Sequence, residues 1–84
     1  MKRRMAKLIS DARAKNALTQ TQVSKAIGLQ GPQYISNVER GTAPLSVTHF
    51  KTISKVLKVP LADLLSAHAA DYQDLVNLKV GAEK

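Results

Sequence analysis

Gln33, Ser36, Asn37 and Arg40 bring two amides, a hydroxyl and a guanidinium into eight consecutive positions. At about 100° per residue, a helix would gather all four on one side. Their shared competence is hydrogen bonding to base edges and phosphates. Side-chain amides can pair bidentately with adenine in a major groove, so Gln33 and Asn37 are the candidate base readers, with Ser36 beside them. Arg40, at the end of the row, suits a phosphate. On the opposite side the same helix would carry Tyr34, Ile35 and Val38, an apolar underside on which to rest. Taken alone, such a row is also what a solvated surface helix presents, so the surrounding chain has to decide.

Other chemistries find little support. The chain has no cysteine, and His49 and His68 are its two histidines. Neither belongs to a histidine–carboxylate cluster at ligand spacing, so no metal site is expected. There is no glycine loop to cradle phosphates, no nucleophile elbow and no convergent acid–base set. The expectation is a binding module, not an enzyme, with no cofactor.

The elements that must position the polar row are legible on both sides of it. A first helix is predicted over Arg3–Lys15, with Met5, Leu8, Ile9 and Ala12 on its inward face. Thr19 and Gln22 form a capping box for a second helix, whose Val23, Ala26 and Ile27 repeat at i, i+3, i+4. Gly28 ends that helix, and Gly31-Pro32 restart the chain in the order a helix start prefers. Arg13 and Glu39 fall toward inward faces, where an unpaired charge is costly, which predicts an ion pair between them. Ser46 caps a further helix with Val47, Phe50, Ile53 and Leu57 toward the core. Pro60 starts the next, with Asp63 in its first turn and Leu61, Leu64 and Leu65 as anchors. From Leu65 a stripe of His68, Tyr72, Leu75 and Val76 continues, with Asp71 and Asp74 outside it. Residues 77–80 could finish this helix or form a short strand, and residues 81–84 should fray.

Charge narrows the partner. The 84 residues carry a formal +7, yet residues 1–58 hold eleven Lys/Arg against two acids, and residues 59–84 two lysines against four acids. A basic body with a mildly acidic tail suggests that the front meets a polyanion. Lys2, Arg3 and Arg4 read either as a phosphate-contacting arm or as a solubilising terminus. With Phe50, Tyr34 and Tyr72 as the whole aromatic complement, there is no stacking platform for single strands, which favours duplex DNA. No apolar run approaches the ~20 residues of a membrane span, and the basic start lacks a signal-peptide core. A cytoplasmic location without membrane contact is the expectation.

Several segments resemble the helix-turn-helix domain of phage repressor and Cro-type regulators, the XRE-like group. These are Leu-Thr-Gln at 18–20, Val-Ser-Lys-Ala-Ile-Gly at 23–28, and Tyr-Ile-Ser-Asn-Val-Glu-Arg-Gly at 34–41. Pro-Leu-Ser at 44–46, Ile-Ser-Lys-Val-Leu-Lys-Val at 53–59 and Leu-Ala-Asp-Leu-Leu at 61–65 continue the match. The resemblance implies an all-α fold: a five-helix, phage-repressor-like DNA-binding domain over residues 1–66 and a C-terminal helical extension over 67–84. It further implies that Gln20 bonds a DNA phosphate, that Thr42 lies along the phosphate backbone, and that arginine and glutamate pair as Arg13 and Glu39 would. Tyr34 could pack its ring internally while its hydroxyl reaches the DNA backbone. The sequence departs from the family in two places. The corner at 28–32 is about one residue longer, with Pro32 where relatives carry a polar base contact, and Lys58 replaces a helix-ending glycine.

The extension holds more apolar side chains than its own length can bury, so Leu65, His68, Tyr72, Leu75 and Val76 are expected to meet the body or a second copy. A two-fold dimer would set two recognition helices about 34 Å apart, matching a pseudo-palindromic site. The leading expectation is therefore a sequence-specific double-stranded DNA-binding regulator, a repressor acting as a homodimer. The alternative is an antitoxin-like protein whose tail binds a second protein. A nonspecific architectural role fits less well, because the helix lacks apolar wedges.

Overall fold

The computed structural model describes residues 3–82, without the side chains of Arg3, Asp74, Leu75 and 77–82; Lys2 lies outside the described residues. The described chain is all helical: α1 (Arg3–Lys15), α2 (Gln20–Ala26), α3 (Gln33–Glu39), a 3₁₀ turn over Val47–His49, α4 (Phe50–Leu57) and α5 (Leu61–Ala82). The alternative left open at residues 77–80 resolves as helix, since α5 runs unbroken through them and across the expected boundary at residue 66.

Local chemistry sets most of the helix ends. Thr19 accepts the Gln22 amide at 3.0 Å, and the Gln22 side chain answers by accepting the Thr19 amide at 2.8 Å. Gly28 closes the following turn at φ +85°, a conformation that costs glycine little. The start of α3 differs from expectation. Pro32 itself stands at the cap, without a side-chain bond, and the helix begins at Gln33. Ser46 caps the 3₁₀ turn rather than α4 directly, and its hydroxyl accepts the Thr48 amide.

One core joins all five helices. Ile9 of α1, Val23 of α2, Ile35 and Val38 of α3, Ile53 of α4 and Leu64 of α5 are completely buried. Phe50 and Leu57 fill the space between α4 and α5, and Leu45 seals the loop after α3. Four apolar positions expected inside are not. Ala26, Val47, Leu61 and Leu65 are exposed, because the 3₁₀ turn rotates Val47 outward and because α5 rests on the Leu64–Ala67–Asp71 side. On α2 the buried places belong to Val23 and Ser24, and the Ser24 Oγ has no hydrogen-bond partner.

Asp71 corrects the sequence reading most. It was expected outside the apolar stripe, yet it is buried and caps α1. Its Oδ1 accepts the Arg4 amide at 3.1 Å and its Oδ2 the Met5 amide at 3.0 Å. The first turn of α1 has no acidic residue of its own, so α5 supplies the carboxylate that its unsatisfied N–H groups need. At the other end of α1, Asn16 Nδ2 donates to the carbonyls of Ala12 and Leu57 at 2.8 Å each. Tied at both ends, α1 lies between the α4–α5 corner and the middle of α5, so α5 runs back along it.

Candidate nucleic-acid interface

Helix α3 is only seven residues long, too short to persist by its own propensity, so tertiary packing must hold it. Its underside is anchored by the completely buried Ile35 and Val38. That anchoring turns Gln33 and Arg40 outward as exposed side chains, with Ser36 and Asn37 half-buried between them. The arrangement is a ridge of hydrogen-bonding groups on a fixed apolar base.

A charged fork sets the angle of α3 to its neighbours. Arg13 donates from Nε to Glu39 Oε2 at 2.6 Å and from Nη2 to Glu39 Oε1 at 3.0 Å, a two-pronged guanidinium–carboxylate pair. Arg13 Nη1 also donates to the Leu18 carbonyl at 2.9 Å, and Gln20 Nε2 donates to Glu39 Oε1 at 3.3 Å. Four residues thus join the end of α1, the entrance of α2 and the end of α3. The hydrogen bond to Glu39, aided by its charge, raises the Arg13 pKa against the opposing effect of burial, so the pair favours the charged guanidinium. Glu39 leaves one N–H of the Gln20 amide uncommitted, directed from the start of α2.

Two side chains expected at phosphates hydrogen-bond within the protein. The Tyr34 hydroxyl donates to the Pro44 carbonyl at 3.0 Å and accepts the Ser46 amide at 2.8 Å, while its ring stands edge-on to His49. Thr42 donates its hydroxyl at 3.1 Å and its amide at 3.0 Å to the Asn37 carbonyl. A phosphate offers only acceptors, and each hydroxyl donor is engaged within the protein. Both instead fold the loop after α3 back onto the helix. The partners of both are backbone atoms, which no side-chain pattern displays.

Of the basic lead-in, only the Arg4 side chain is among those described, and it is not gathered with the α3 row. Arg4 starts α1 beside Asp71, about 14 Å along the helix from Arg13. Lys2 and the Arg3 side chain lie outside the description. Among the tail residues, Leu65 and Tyr72 are 48% and 63% exposed. His68 is half-buried and packs edge-on against Phe50 at 5.7 Å. Val76 is half-buried, and Leu75 lies outside the described side chains. Leu61, Leu65 and Val47 edge a shallow apolar groove between the 3₁₀ turn and α5.

The sequence reading missed two positioning contacts. Asp71 follows Leu64 and Ala67 at helical spacing, a signal overridden by its charge. The second lies within the ridge, where Arg40 Nη2 donates to Asn37 Oδ1; the i, i+3 spacing of the two was visible, their contact was not. Among the described residues no group of histidines and carboxylates is placed to hold a metal ion, and no helix is long and apolar enough to cross a membrane.

A helix-turn-helix family model matches residues 9–64, from the second half of α1 to the first turn of α5. Comparison with curated proteins and with solved structures gave no match.

Proposed function

Because the chain belongs to the Cro/C1-type helix-turn-helix family of DNA-binding regulators, we propose that it is a sequence-specific repressor that binds a pseudo-palindromic duplex site as a homodimer. The observation that carries this reading is the α3 ridge: Gln33, Ser36, Asn37 and Arg40 face outward from a helix whose Ile35 and Val38 are completely buried. A helix held this way can enter a major groove without disturbing the core. Gln33, Asn37 and Ser36 read base edges. Gln20, with its free N–H at the start of α2, meets a phosphate. Lys2, Arg3 and Arg4 act through the field at the far end of α1, drawing the protein to duplex DNA rather than selecting a sequence. Exposed Val47, Leu61, Leu65 and Tyr72 supply the apolar surface for the two-fold contact.

Enrichment of duplexes from a randomised library, at a fixed physiological salt concentration, tests the proposal. A repressor of this kind selects two related half-sites centred about one helical turn apart. Failure to enrich any sequence over bulk genomic DNA would overturn it.

A further inference from the structure

The contact between Arg40 and Asn37 bears on which base this helix selects. An asparagine reads adenine by accepting the N6 amino group on its carbonyl while donating its amide to N7. Here Arg40 Nη2 already donates to Asn37 Oδ1, so one lone pair of the carbonyl is engaged, and the positive guanidinium beside it disfavours the approach of an adenine amino group. What the pair has left to offer is the Asn37 amide N–H₂ and the remaining N–H groups of Arg40. That is a surface of donors. Guanine presents O6 and N7 together, two acceptors side by side, and is the base that complements such a surface.

The backbone beneath this pair is fixed as well. The Asn37 carbonyl accepts the amide of Thr42 at 3.0 Å, the hydroxyl of Thr42 at 3.1 Å and the amide of Ala43 at 3.3 Å. Asn37 is therefore held from below by the loop and from the side by Arg40, which reduces the ordering required on binding. Gln33, by contrast, is exposed and can adapt.

We propose that Arg40 is a positioning residue for Asn37, in place of a phosphate contact, and that the two together select guanine rather than adenine at one base pair of each half-site. The inference rests on the DNA-recognition reading above. Its test is the same duplex enrichment, performed with the full-length protein, Asn37→Ala and Arg40→Ala, each checked for an unchanged melting temperature. The position whose preference flattens in Asn37→Ala is the one that Asn37 reads. At that position the unaltered protein should prefer guanine over adenine roughly tenfold, and Arg40→Ala should shift the preference toward adenine by releasing the carbonyl. A uniform loss of affinity in Arg40→Ala, with base preference unchanged, would make Arg40 a phosphate contact and overturn the inference, as would an adenine preference in the unaltered protein. If the unaltered protein enriches no duplex, the DNA-recognition reading itself falls, and this inference with it.

Discussion

The carboxylate of Asp71 accepts the backbone N–H of Met5 at 3.0 Å, across 66 residues of chain. Its other oxygen holds Arg4, so a residue halfway along α5 completes the first turn of α1. Asp71→Ala should lower stability by about 1–2 kcal/mol, the usual cost of losing a helix cap. Asp71→Asn keeps an acceptor oxygen and should lose less. Urea denaturation of the three proteins checks the order.

Arg13 and Glu39 should behave as a unit. Removing either leaves the other partly buried without its charge partner, at a cost of about 2–4 kcal/mol, whereas replacing both by apolar residues should cost less than either single change. A double-mutant cycle on Arg13→Met and Glu39→Leu, read by denaturation, measures this coupling. The pH dependence has a definite sign. The folded pKa of Arg13 is raised, chiefly by its hydrogen bond to Glu39. Its stabilisation is therefore complete below the unfolded pKa and lost only as pH rises through the folded one. Titration of Arg13 should add no slope to stability from about pH 5 to about pH 9.

Lys58 and Ala17 adopt left-handed backbone conformations, at φ +55° and +54°. A side chain there costs roughly 1 kcal/mol relative to glycine. Lys58→Gly and Ala17→Gly should each raise the melting temperature by a few degrees, a gain tempered by the greater freedom of glycine in the unfolded chain.

Ser24 buries a hydroxyl that has no partner. Ser24→Ala should be neutral or stabilising by up to ~1 kcal/mol, since no bond is broken and an unsatisfied polar group is removed. A clear loss of stability on denaturation would contradict this.

Leu65→Glu and Tyr72→Glu should abolish self-association while leaving the melting transition of the monomer intact, because both side chains stand outside the core. Sedimentation at a series of concentrations would read the change. A monomer in the unaltered protein would remove the proposed two-fold contact.

What the sequence made legible was whatever it encodes locally. The Thr19–Gln22 capping box, the turn at Gly28, the start at Pro60 and the inward charges of Arg13 and Glu39 all depend on residue types at short spacing or on a conspicuous misplacement of charge. The internal bonds of Asp71, Tyr34 and Thr42 were hidden for a different reason. Each spends its polar group on a backbone atom brought near only by the tertiary fold, and an acid or hydroxyl in a helical stripe reads as solvent-facing until that atom is seen. Val47 and Ala26 failed through register. A 3₁₀ turn replaces the first turn of a predicted α-helix, and Ser24 takes the inward place on α2. The candidate readers on α3 were legible as a row, since only periodicity was required; the contact between two members of the row was not.

Helix α5 continues about 16 Å past Asp71, in the direction away from the end of α1 that grips Glu39. A fluorophore or affinity handle joined beyond Ala82 would ride on this spar, well clear of Gln33 and Asn37. Such a label should report tumbling and assembly without obstructing the approach of a duplex.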